Sequence, residues 1–285
     1  MHLPFCAARC GYCAFVVEVG ALDRRDAYLD ALLAELERES HLFAPLETVY
    51  LGGGTPTLMR GRRLTRLLTA IRPHLAPGAE VTVEANPETV ERGLLDDLVS
   101  AGMTRISLGV QSLRPHVLAG LDRLATPDQA LRAVSCARSA GVASVSVDML
   151  LAVPGQSVHD LAEDLDGVRA MDPDHVSWYE LEIKPDTALS RMGVEAPDDD
   201  AAADAFRGTV AALEEAGYRW YETANFARAG HVCRHSLAYW GAADYVGVGV
   251  RAVTTVGGAR WRKAPGHDGD IAHHTAGGPP RPTKQ

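Results

Sequence analysis

The chain has 285 residues, of which 46% are hydrophobic and 23% are charged. This composition suffices for a single α/β domain with its own core. The formal net charge of −9 argues against broad binding to nucleic acid or to anionic membranes, since both require a basic face. We expect a cytoplasmic protein, because the sequence has no apolar run of about 18 residues and its start lacks the features of a secretion signal. Peripheral membrane contact stays open.

Six short apolar segments predict β-strands, at residues 1–5, 48–51, 81–85, 106–110, 142–151 and 176–183. Leucines and other apolar residues at helical spacing predict helices around residues 29–36, 64–71, 94–98, 127–140, 158–170 and 201–216. The helix after Pro127 opens with a capping-box sequence, Thr126 to Gln129. Six strand–helix units in a row predict a parallel sheet covered by helices, either a curved (β/α)6 barrel fragment or an open doubly wound sheet.

The sequence changes character after Gly217. Residues 218–226 are aromatic and strand-like, and residues 233–240 mix polar and aromatic side chains. From residue 263 onward the chain is rich in Gly, Pro and His without an apolar period, which predicts a disordered tail. We therefore expect a core at residues 1–217, a C-terminal extension at 218–262 and a tail at 263–285.

Three of the five cysteines, Cys6, Cys10 and Cys13, lie within eight residues, directly after the first predicted strand. An odd, clustered set argues against a disulfide framework and indicates metal or redox chemistry. The spacing lets one loop surround a compact iron–sulfur cluster, which proteins usually hold with four thiolates. Three thiolates leave one iron free to bind a cofactor, which predicts a [4Fe–4S] cluster. A zinc site with a distant fourth ligand or incidental thiols are the alternatives. Cys136 and Cys233 are interpreted as buried or incidental thiols.

Chemically active residues follow the other predicted strands. Gly53, Gly54 and Thr55 form a turn in which backbone amides could approach a polar ligand, although turn geometry alone also explains the glycines. No Gly-Lys-Ser/Thr follows, so this turn is not a phosphate loop. The remaining candidates are Glu84, Gln111, Arg123 and Asp148. Taken singly, each could be a helix cap or a solvated loop residue. In parallel α/β folds, however, ligands bind at the carboxyl ends of the strands, so we expect one shared site.

These residues resemble the radical S-adenosylmethionine (SAM) superfamily, and within it the branch similar to oxygen-independent coproporphyrinogen III oxidase. The similarity covers residues 1 to about 262. Its motifs are HLPFC at 2–6, the set Cys6, Cys10, Tyr12 and Cys13, LGGGTPT at 51–57, EANP at 84–87, RISLGVQ at 105–111, VDML at 147–150 and PG at 154–155. The resemblance implies a partial (β/α)6 barrel with a shortened C-terminal extension.

The resemblance also implies residue roles. Cys6, Cys10 and Cys13 would ligate three irons, while the amino and carboxylate groups of SAM chelate the fourth. An electron from the cluster would then cleave SAM into methionine and a 5′-deoxyadenosyl radical. The amino end of SAM would meet Gly53, Gly54 and Thr55. The rest of SAM would be held by Glu84, Gln111, Arg123 and Asp148.

Two positions separate subgroups of this branch. The oxidases carry a further cysteine two residues after the third one, where this chain has Phe15 and so resembles the HemW-type heme chaperones. That group also carries a His-Asn-x-x-Tyr-Trp motif, here His235 to Trp240 with Ser236 in place of asparagine. The resemblance makes His235 a heme-associated candidate, and a histidine bonded within its own loop is the alternative.

The resulting hypothesis is a HemW-type protein that carries heme to acceptor hemoproteins under control of the cluster and SAM. The alternative is an oxidase of porphyrin biosynthesis, similar to coproporphyrinogen dehydrogenase, and a zinc-binding domain is a third reading. Whether the chain is an enzyme is left open. Implied partners are heme or porphyrin and an electron donor such as flavodoxin or ferredoxin.

The chain departs from the family pattern at two places. Relatives carry a tyrosine six residues before the first cysteine, a position that here would precede Met1. They also carry a Gly-Ala-His segment where this chain has residues 250–252.

Overall fold

The computed structural model describes residues 1–263. Its strands are β1 (His2–Leu3), β2 (Phe5–Cys6), β3 (Glu18–Val19), β4 (Leu46–Gly53), β5 (Leu75–Ala85), β6 (Arg105–Gln111), β7 (Ser144–Leu151), β8 (His175–Glu180), β9 (Arg219–Glu222), β10 (Asn225–Ala227), β11 (Val253–Val256) and β12 (Ala259–Arg262). Its helices are α1 (Arg25–Glu39), α2 (Gly61–Ile71), α3 (Arg92–Ala101), α4 (Pro115–Gly120), α5 (Pro127–Ser139), α6 (Val158–Met171), α7 (Ala188–Arg191), α8 (Asp199–Glu215) and α9 (Arg234–Trp240).

Eight strands form the main sheet, in the order β1-β4-β5-β6-β7-β8-β10-β9. The first six run parallel, and β10 and β9 join antiparallel at the far edge. The six parallel strands follow chain order without the reversal that defines a doubly wound sheet. Because helices alternate with them, the architecture is the partial (β/α)6 barrel rather than the open doubly wound alternative.

The parallel strands alternate apolar and polar residues, which gives the sheet two different faces. Residues such as Val83, Leu108 and Val147 are fully buried in the main hydrophobic core together with leucines of α2 and α3. The residues adjoining Val83 and Val147 in sequence, Glu84 and Asp148, line a cavity on the other face. A parallel sheet buried on both sides normally reads as a continuous apolar run, so this alternation marks the inner face of the barrel as polar.

Local sequence signals account for several element boundaries. The predicted strand at residues 1–5 is divided into β1 and β2 at Pro4, which has no N–H for a ladder. The predicted capping box of α5 is confirmed, since the Gln129 N–H donates to Thr126 Oγ1 and the Thr126 N–H donates back to Gln129 Oε1. Ser157 and Asp160 form a second capping box on α6.

Residues after the sheet pack against its first strand. The His2 N–H donates to the Val248 carbonyl at 2.8 Å, and the Gly249 N–H donates to Glu35 of α1 at 3.1 Å. The buried ammonium of Lys263 pairs with Glu35 and Glu39. The predicted tail otherwise lies outside the described residues, and the division of the chain at residue 217 stays a prediction. None of the helices within residues 1–263 combines the length and apolar character needed to cross a membrane.

Candidate cofactor site

A cavity of about 440 Å³ opens at the carboxyl ends of the parallel strands, and we call it the cysteine cavity. It is lined by every residue predicted for the cluster and SAM, namely Cys6, Cys10, Cys13, Gly53, Gly54, Thr55, Glu84, Gln111, Arg123 and Asp148. His235 is not among its lining residues and borders a second cavity instead. The structure thus brings together the strand-end residues and separates them from the heme candidate.

The cysteine loop follows β2 and is anchored on both sides. The Gly11 N–H donates to the Leu121 carbonyl at 3.0 Å, and the Leu189 N–H donates to the Gly11 carbonyl at 2.9 Å. The Arg9 guanidinium donates to the carbonyls of Phe15 at 3.1 Å and Val17 at 3.0 Å. These bonds hold the loop in a fixed shape although it contains little regular structure.

Two thiols of this loop, those of Cys6 and Cys13, hold their protons more tightly than free thiols do. Burial raises the pKa of Cys6 to about 11 and also raises the pKa of Cys13. Metal binding replaces such protons, because the thiolate is the ligand form. Within the described part of the chain, no three His, Cys, Asp or Glu side chains are grouped around the position of one metal ion. A cubane does not require such grouping, since each thiolate binds a different iron.

The glycine turn after β4 supports the root of the cysteine loop. The Gly54 N–H donates to the Leu3 carbonyl at 2.9 Å, and the Thr55 N–H donates to the Phe5 carbonyl at 2.7 Å. A Cβ on Gly54 would lie 2.7 Å from that Phe5 oxygen. These amides are therefore engaged with the chain itself, and the glycines allow β4 to approach the N-terminal strands closely.

Two carboxyl groups form the inner wall of the cysteine cavity. Burial, reinforced by the nearby Asp148, raises the pKa of Glu84 to about 7. Burial likewise raises the pKa of Asp148 to about 6, opposed by hydrogen bonds such as that from Ser107 Oγ at 3.0 Å. The Gly53 N–H donates to Glu84 at 3.1 Å. A bound cation would favour the ionised form of both groups.

Arg123 is the positive group of the cysteine cavity. Its Nη1 lies 3.4 Å from the Cys10 sulfur, and its Nη2 donates to Asn86 Oδ1 at 3.1 Å and to the Gly109 carbonyl. Asn86 Nδ2 in turn donates to Thr55 Oγ1 at 3.1 Å. The Arg123 Nε is buried without a hydrogen-bond partner within residues 1–263. Asn86 was not predicted as a site residue. Its position two residues after Glu84, at the end of the same strand, is the sequence feature that could have identified it.

Gln111 is presented by a strained backbone. Its φ is +74°, which for a non-glycine residue costs about 1–2 kcal/mol. The register between β6 and β7 shifts between Gly109 and Gln111, so Val110 is an extra residue of a β-bulge. Such strain clusters at functional sites, where surrounding contacts hold it in place.

The second cavity measures about 690 Å³, and we call it the His235 cavity. Its walls are mainly apolar and include Leu36, Phe43, Leu46, Val49, Ile71, Leu237, Tyr239, Tyr245, Val246 and Val248. His235 Nδ1 hydrogen-bonds Thr48 Oγ1 at 2.8 Å, and the imidazole stacks on Tyr50 at 5.0 Å. Burial lowers the pKa of His235 to about 4, so the imidazole is neutral at physiological pH.

The donor set of the cysteine cavity fits a cluster with SAM. SAM carries a sulfonium cation, an ammonium group and a carboxylate, and the cavity supplies two carboxyl groups and a guanidinium with an unpartnered Nε. The three thiols are the ligands an iron–sulfur cluster uses. Opposite charges are thus available for each charged group of SAM next to the thiols.

Comparison with known proteins defines the class. The family model of the radical SAM superfamily matches residues 1–167, and the chain belongs to this superfamily, whose members are associated with a [4Fe–4S] cluster and SAM. The solved structure of coproporphyrinogen III oxidase (HemN) from Escherichia coli, a radical SAM enzyme, matches with a TM-score of 0.81 and 26% identity. The match covers 92% of this chain, which spans 65% of the HemN chain.

The relatives narrow the class further. The heme chaperone HemW of Mycobacterium tuberculosis is 42% identical over 273 residues, which cover 92% of this chain and 70% of that protein. The heme chaperone HemW of Escherichia coli is 38% identical over 258 residues, covering 88% of this chain and 68% of that protein. Within the superfamily, the chain is therefore of the HemW type, as its sequence predicted.

Proposed function

We propose that this protein binds a [4Fe–4S] cluster and SAM in the cysteine cavity and carries heme to acceptor hemoproteins. The gathering of every predicted cluster and SAM residue around one cavity is the observation that carries the first half. The names of the relatives and the His235 cavity support the second half. A cytoplasmic location and an electron donor of the flavodoxin or ferredoxin type belong to the same proposal.

The residues have separate tasks in this proposal. Cys6, Cys10 and Cys13 hold the cluster, and Arg123 keeps a positive charge 3.4 Å from the Cys10 sulfur. When bound, the cluster supplies the electron that cleaves SAM into methionine and a 5′-deoxyadenosyl radical. The buried inner wall of the cavity keeps water away from the reacting groups.

The carboxyl wall and the glycine turn orient SAM. Glu84 and Asp148 accept hydrogen bonds and offset the positive charge of SAM, while the Gln111 amide can both donate and accept. The amino end of SAM is assigned to the turn of Gly53, Gly54 and Thr55. Because the turn amides already donate within the chain, they are not available to SAM. The Thr55 carbonyl accepts the Leu58 N–H at 2.9 Å, so the Thr55 hydroxyl, which accepts from Asn86 Nδ2, is left to donate its hydrogen.

Heme is assigned to the His235 cavity, where a neutral imidazole can ligate iron. Within residues 1–263 the imidazole of His235 hydrogen-bonds Thr48 through Nδ1, and its Nε2 has no hydrogen-bond partner. The apolar walls suit the porphyrin ring, and Arg234 at the rim suits a propionate. An imidazole fixed through one nitrogen and free at the other is the usual arrangement of a metal ligand.

Oxidative decarboxylation of coproporphyrinogen III is the alternative, favoured by the similarity to HemN. Phe15 stands where the oxidases carry a further cysteine, and this residue lines the cysteine cavity and is 70% exposed. A phenyl ring can neither ligate iron nor transfer a proton, so this position favours the chaperone.

Anaerobic reconstitution with iron and sulfide tests the cluster and SAM. We expect visible absorbance that dithionite bleaches, and 5′-deoxyadenosine and methionine after SAM and reductant are added. A colourless protein that retains a single zinc ion would contradict both the chaperone and the oxidase.

Haemin titration then separates the two functions. A stable stoichiometric Soret band, transfer of heme to an apo-hemoprotein and unchanged coproporphyrinogen are expected of the chaperone. Conversion of coproporphyrinogen III to protoporphyrinogen with release of 5′-deoxyadenosine would establish the oxidase instead.

A further inference from the structure

A fully buried carboxylate outside both cavities holds the turn that follows Gln111. Asp164 lies on α6 and has no solvent exposure. It accepts hydrogen bonds from the Leu113 N–H at 2.6 Å and from the Ser112 hydroxyl at 2.8 Å. Ser112 Oγ also accepts the Arg114 N–H at 3.0 Å. Both carboxylate oxygens of Asp164 are therefore used to fix residues 112–114.

The backbone just before this turn is strained. Gln111 has a left-handed φ of +74°, and the β-bulge at Val110 removes the regular ladder just before it. A non-glycine residue keeps such a conformation only when surrounding contacts over-determine it. The Asp164 bonds begin at the very next residue, Ser112, whose side chain is also buried.

Side-chain packing fixes the same turn from the same helix. A Cβ on Gly167, three residues after Asp164, would lie 2.1 Å from Leu113 Cδ1. Leu113 thus occupies the space that this glycine leaves on α6. Asp164 binds the backbone of the turn and Gly167 receives its side chain, so α6 sets the position at which β6 ends.

We propose that Asp164 is a positioning residue for SAM, acting through Gln111. Asp164 does not line the cysteine cavity, whereas Gln111 does. By holding residues 112 and 113, the carboxylate keeps Gln111 in its left-handed conformation and its amide on the cavity wall. The inference rests on the proposed SAM site and adds to it a residue two layers away from the ligand.

The test compares SAM binding by reconstituted Asp164→Ala and Asp164→Asn proteins. The alanine variant leaves the Leu113 N–H and the Ser112 hydroxyl without their acceptor, and we expect the Kd for SAM to rise roughly tenfold or more. The asparagine variant can still accept the Leu113 N–H through Oδ1, but its NH2 group would face the Gln156 Nε2 that donates to Asp164 Oδ2 at 3.4 Å. Its Kd should therefore lie between those of the wild type and the alanine variant. Asp166→Ala is the matched control, since Asp166 lies on the same helix with its side chain 74% exposed.

A double-mutant cycle separates positioning from general stability. In a Gln111→Ala background, Asp164→Ala should raise the Kd less than about twofold, while the iron content per chain stays at the wild-type level in all variants. If Asp164→Ala does not fold, Ser112→Ala takes its place in the cycle, because it removes one of the two hydrogen bonds to Asp164. An equal loss with and without Gln111, or unchanged affinity in the folded Asp164→Ala protein, would overturn the inference. Failure of the wild-type protein to bind SAM would contradict the proposed function instead.

Discussion

The two cavities of this protein share strand β4 but differ in the chemistry of their walls and in the elements that form them. The cysteine cavity gathers thiols, carboxyl groups and a guanidinium at the carboxyl ends of the parallel strands. The His235 cavity is mainly apolar and is closed by α9 and the segment after it, which pack onto the start of β4. The barrel strands themselves therefore position the polar groups of the cysteine cavity, whereas the His235 cavity depends on chain segments that fold back over the sheet.

Tyr50 borders both cavities, and this makes the comparison testable. On one side its hydroxyl lies beside the Glu84 carboxyl and influences the pKa of that group. On the other side its ring stacks on His235 at 5.0 Å. Variants on either side of Tyr50 show whether the two cavities act independently.

The largest effect is expected from Cys10→Ala, which removes one thiolate of the cluster. The reconstituted variant should lose the cluster and all SAM cleavage, while haemin binding in the His235 cavity persists. Iron content, dithionite-bleachable absorbance and a haemin titration measure the three quantities. Cys136→Ala is the control, because Cys136 lies on α5 outside the cysteine cavity. Full iron content in the Cys10 variant would refute the assigned ligand.

His235→Ala is the corresponding change in the other cavity. Loss of an iron-ligating imidazole should weaken haemin binding at least about tenfold, equivalent to 1.4 kcal/mol, and leave SAM cleavage within about twofold of wild type. His159→Ala controls for loss of a histidine, since that side chain is 82% exposed on α6. Unchanged haemin affinity would remove His235 from the heme site and leave it as a residue that hydrogen-bonds Thr48.

Gly53→Ala tests how closely the cysteine cavity depends on the N-terminal strand. A Cβ there would lie 2.0 Å from the His2 ring, at a residue with φ of +116°. We expect a loss of about 3 kcal/mol in unfolding free energy, from overpacking added to backbone strain. Gly20→Ala has φ of +79° but no atom within 4 Å, so it should lose only about 1–2 kcal/mol. Equal losses by denaturant titration would show that strain alone accounts for the effect.

The carboxyl wall predicts a pH dependence of stability in the SAM-free protein. Burial raises the pKa of Glu84 from 4.5 to about 7, so the folded state holds its proton more tightly than the unfolded state. The contribution of Glu84 to stability should therefore fall as pH rises from about 4.5 to 7, by on the order of 2 kcal/mol because Glu84 keeps some solvent contact. Glu84→Gln should lack this contribution, and its stability relative to wild type should increase as pH rises to 8 (about one unit above the folded pKa of Glu84). The measurement is the difference in unfolding free energy between Glu84→Gln and wild type at each pH, because the histidines with lowered pKa values titrate in both proteins. A difference that stays constant from pH 4.5 to 8 would contradict the raised pKa of Glu84.

The smallest effect is expected from Tyr50→Phe, which removes the hydroxyl beside Glu84 and keeps the ring against His235. SAM affinity should fall about two- to tenfold, as for one hydrogen-bonding group, and haemin affinity should stay unchanged. Isothermal titration of both ligands against the same reconstituted sample measures this. If both affinities change together, the two cavities are coupled through this ring and do not act independently.

Much of the cysteine cavity could be predicted because its signals are local. The cysteine spacing, the glycine turn and polar residues directly after apolar strands can each be read within a few residues, and parallel strands carry such ends to one edge. Where the prediction was incomplete, the reason is distance along the chain. Asn86 belongs to the site through its contact with Arg123, and Tyr50 through its contact with Glu84. No spacing pattern in the sequence predicts such contacts.

The sequence by itself determined the strand–helix units, the capping box at Thr126 and the residues of the cysteine cavity, because backbone preferences and side-chain periodicity act over one or two turns. The strand pattern left a barrel and a doubly wound sheet both open, and the family resemblance implied the barrel. The tertiary structure confirmed it, because strand order follows from long-range pairing. It also decided that His235 lies apart, bonded to Thr48 from 187 residues away. The left-handed conformation of Gln111, next to the turn held by Asp164, likewise depends on tertiary structure, since backbone strain is retained only where surrounding groups pack against it.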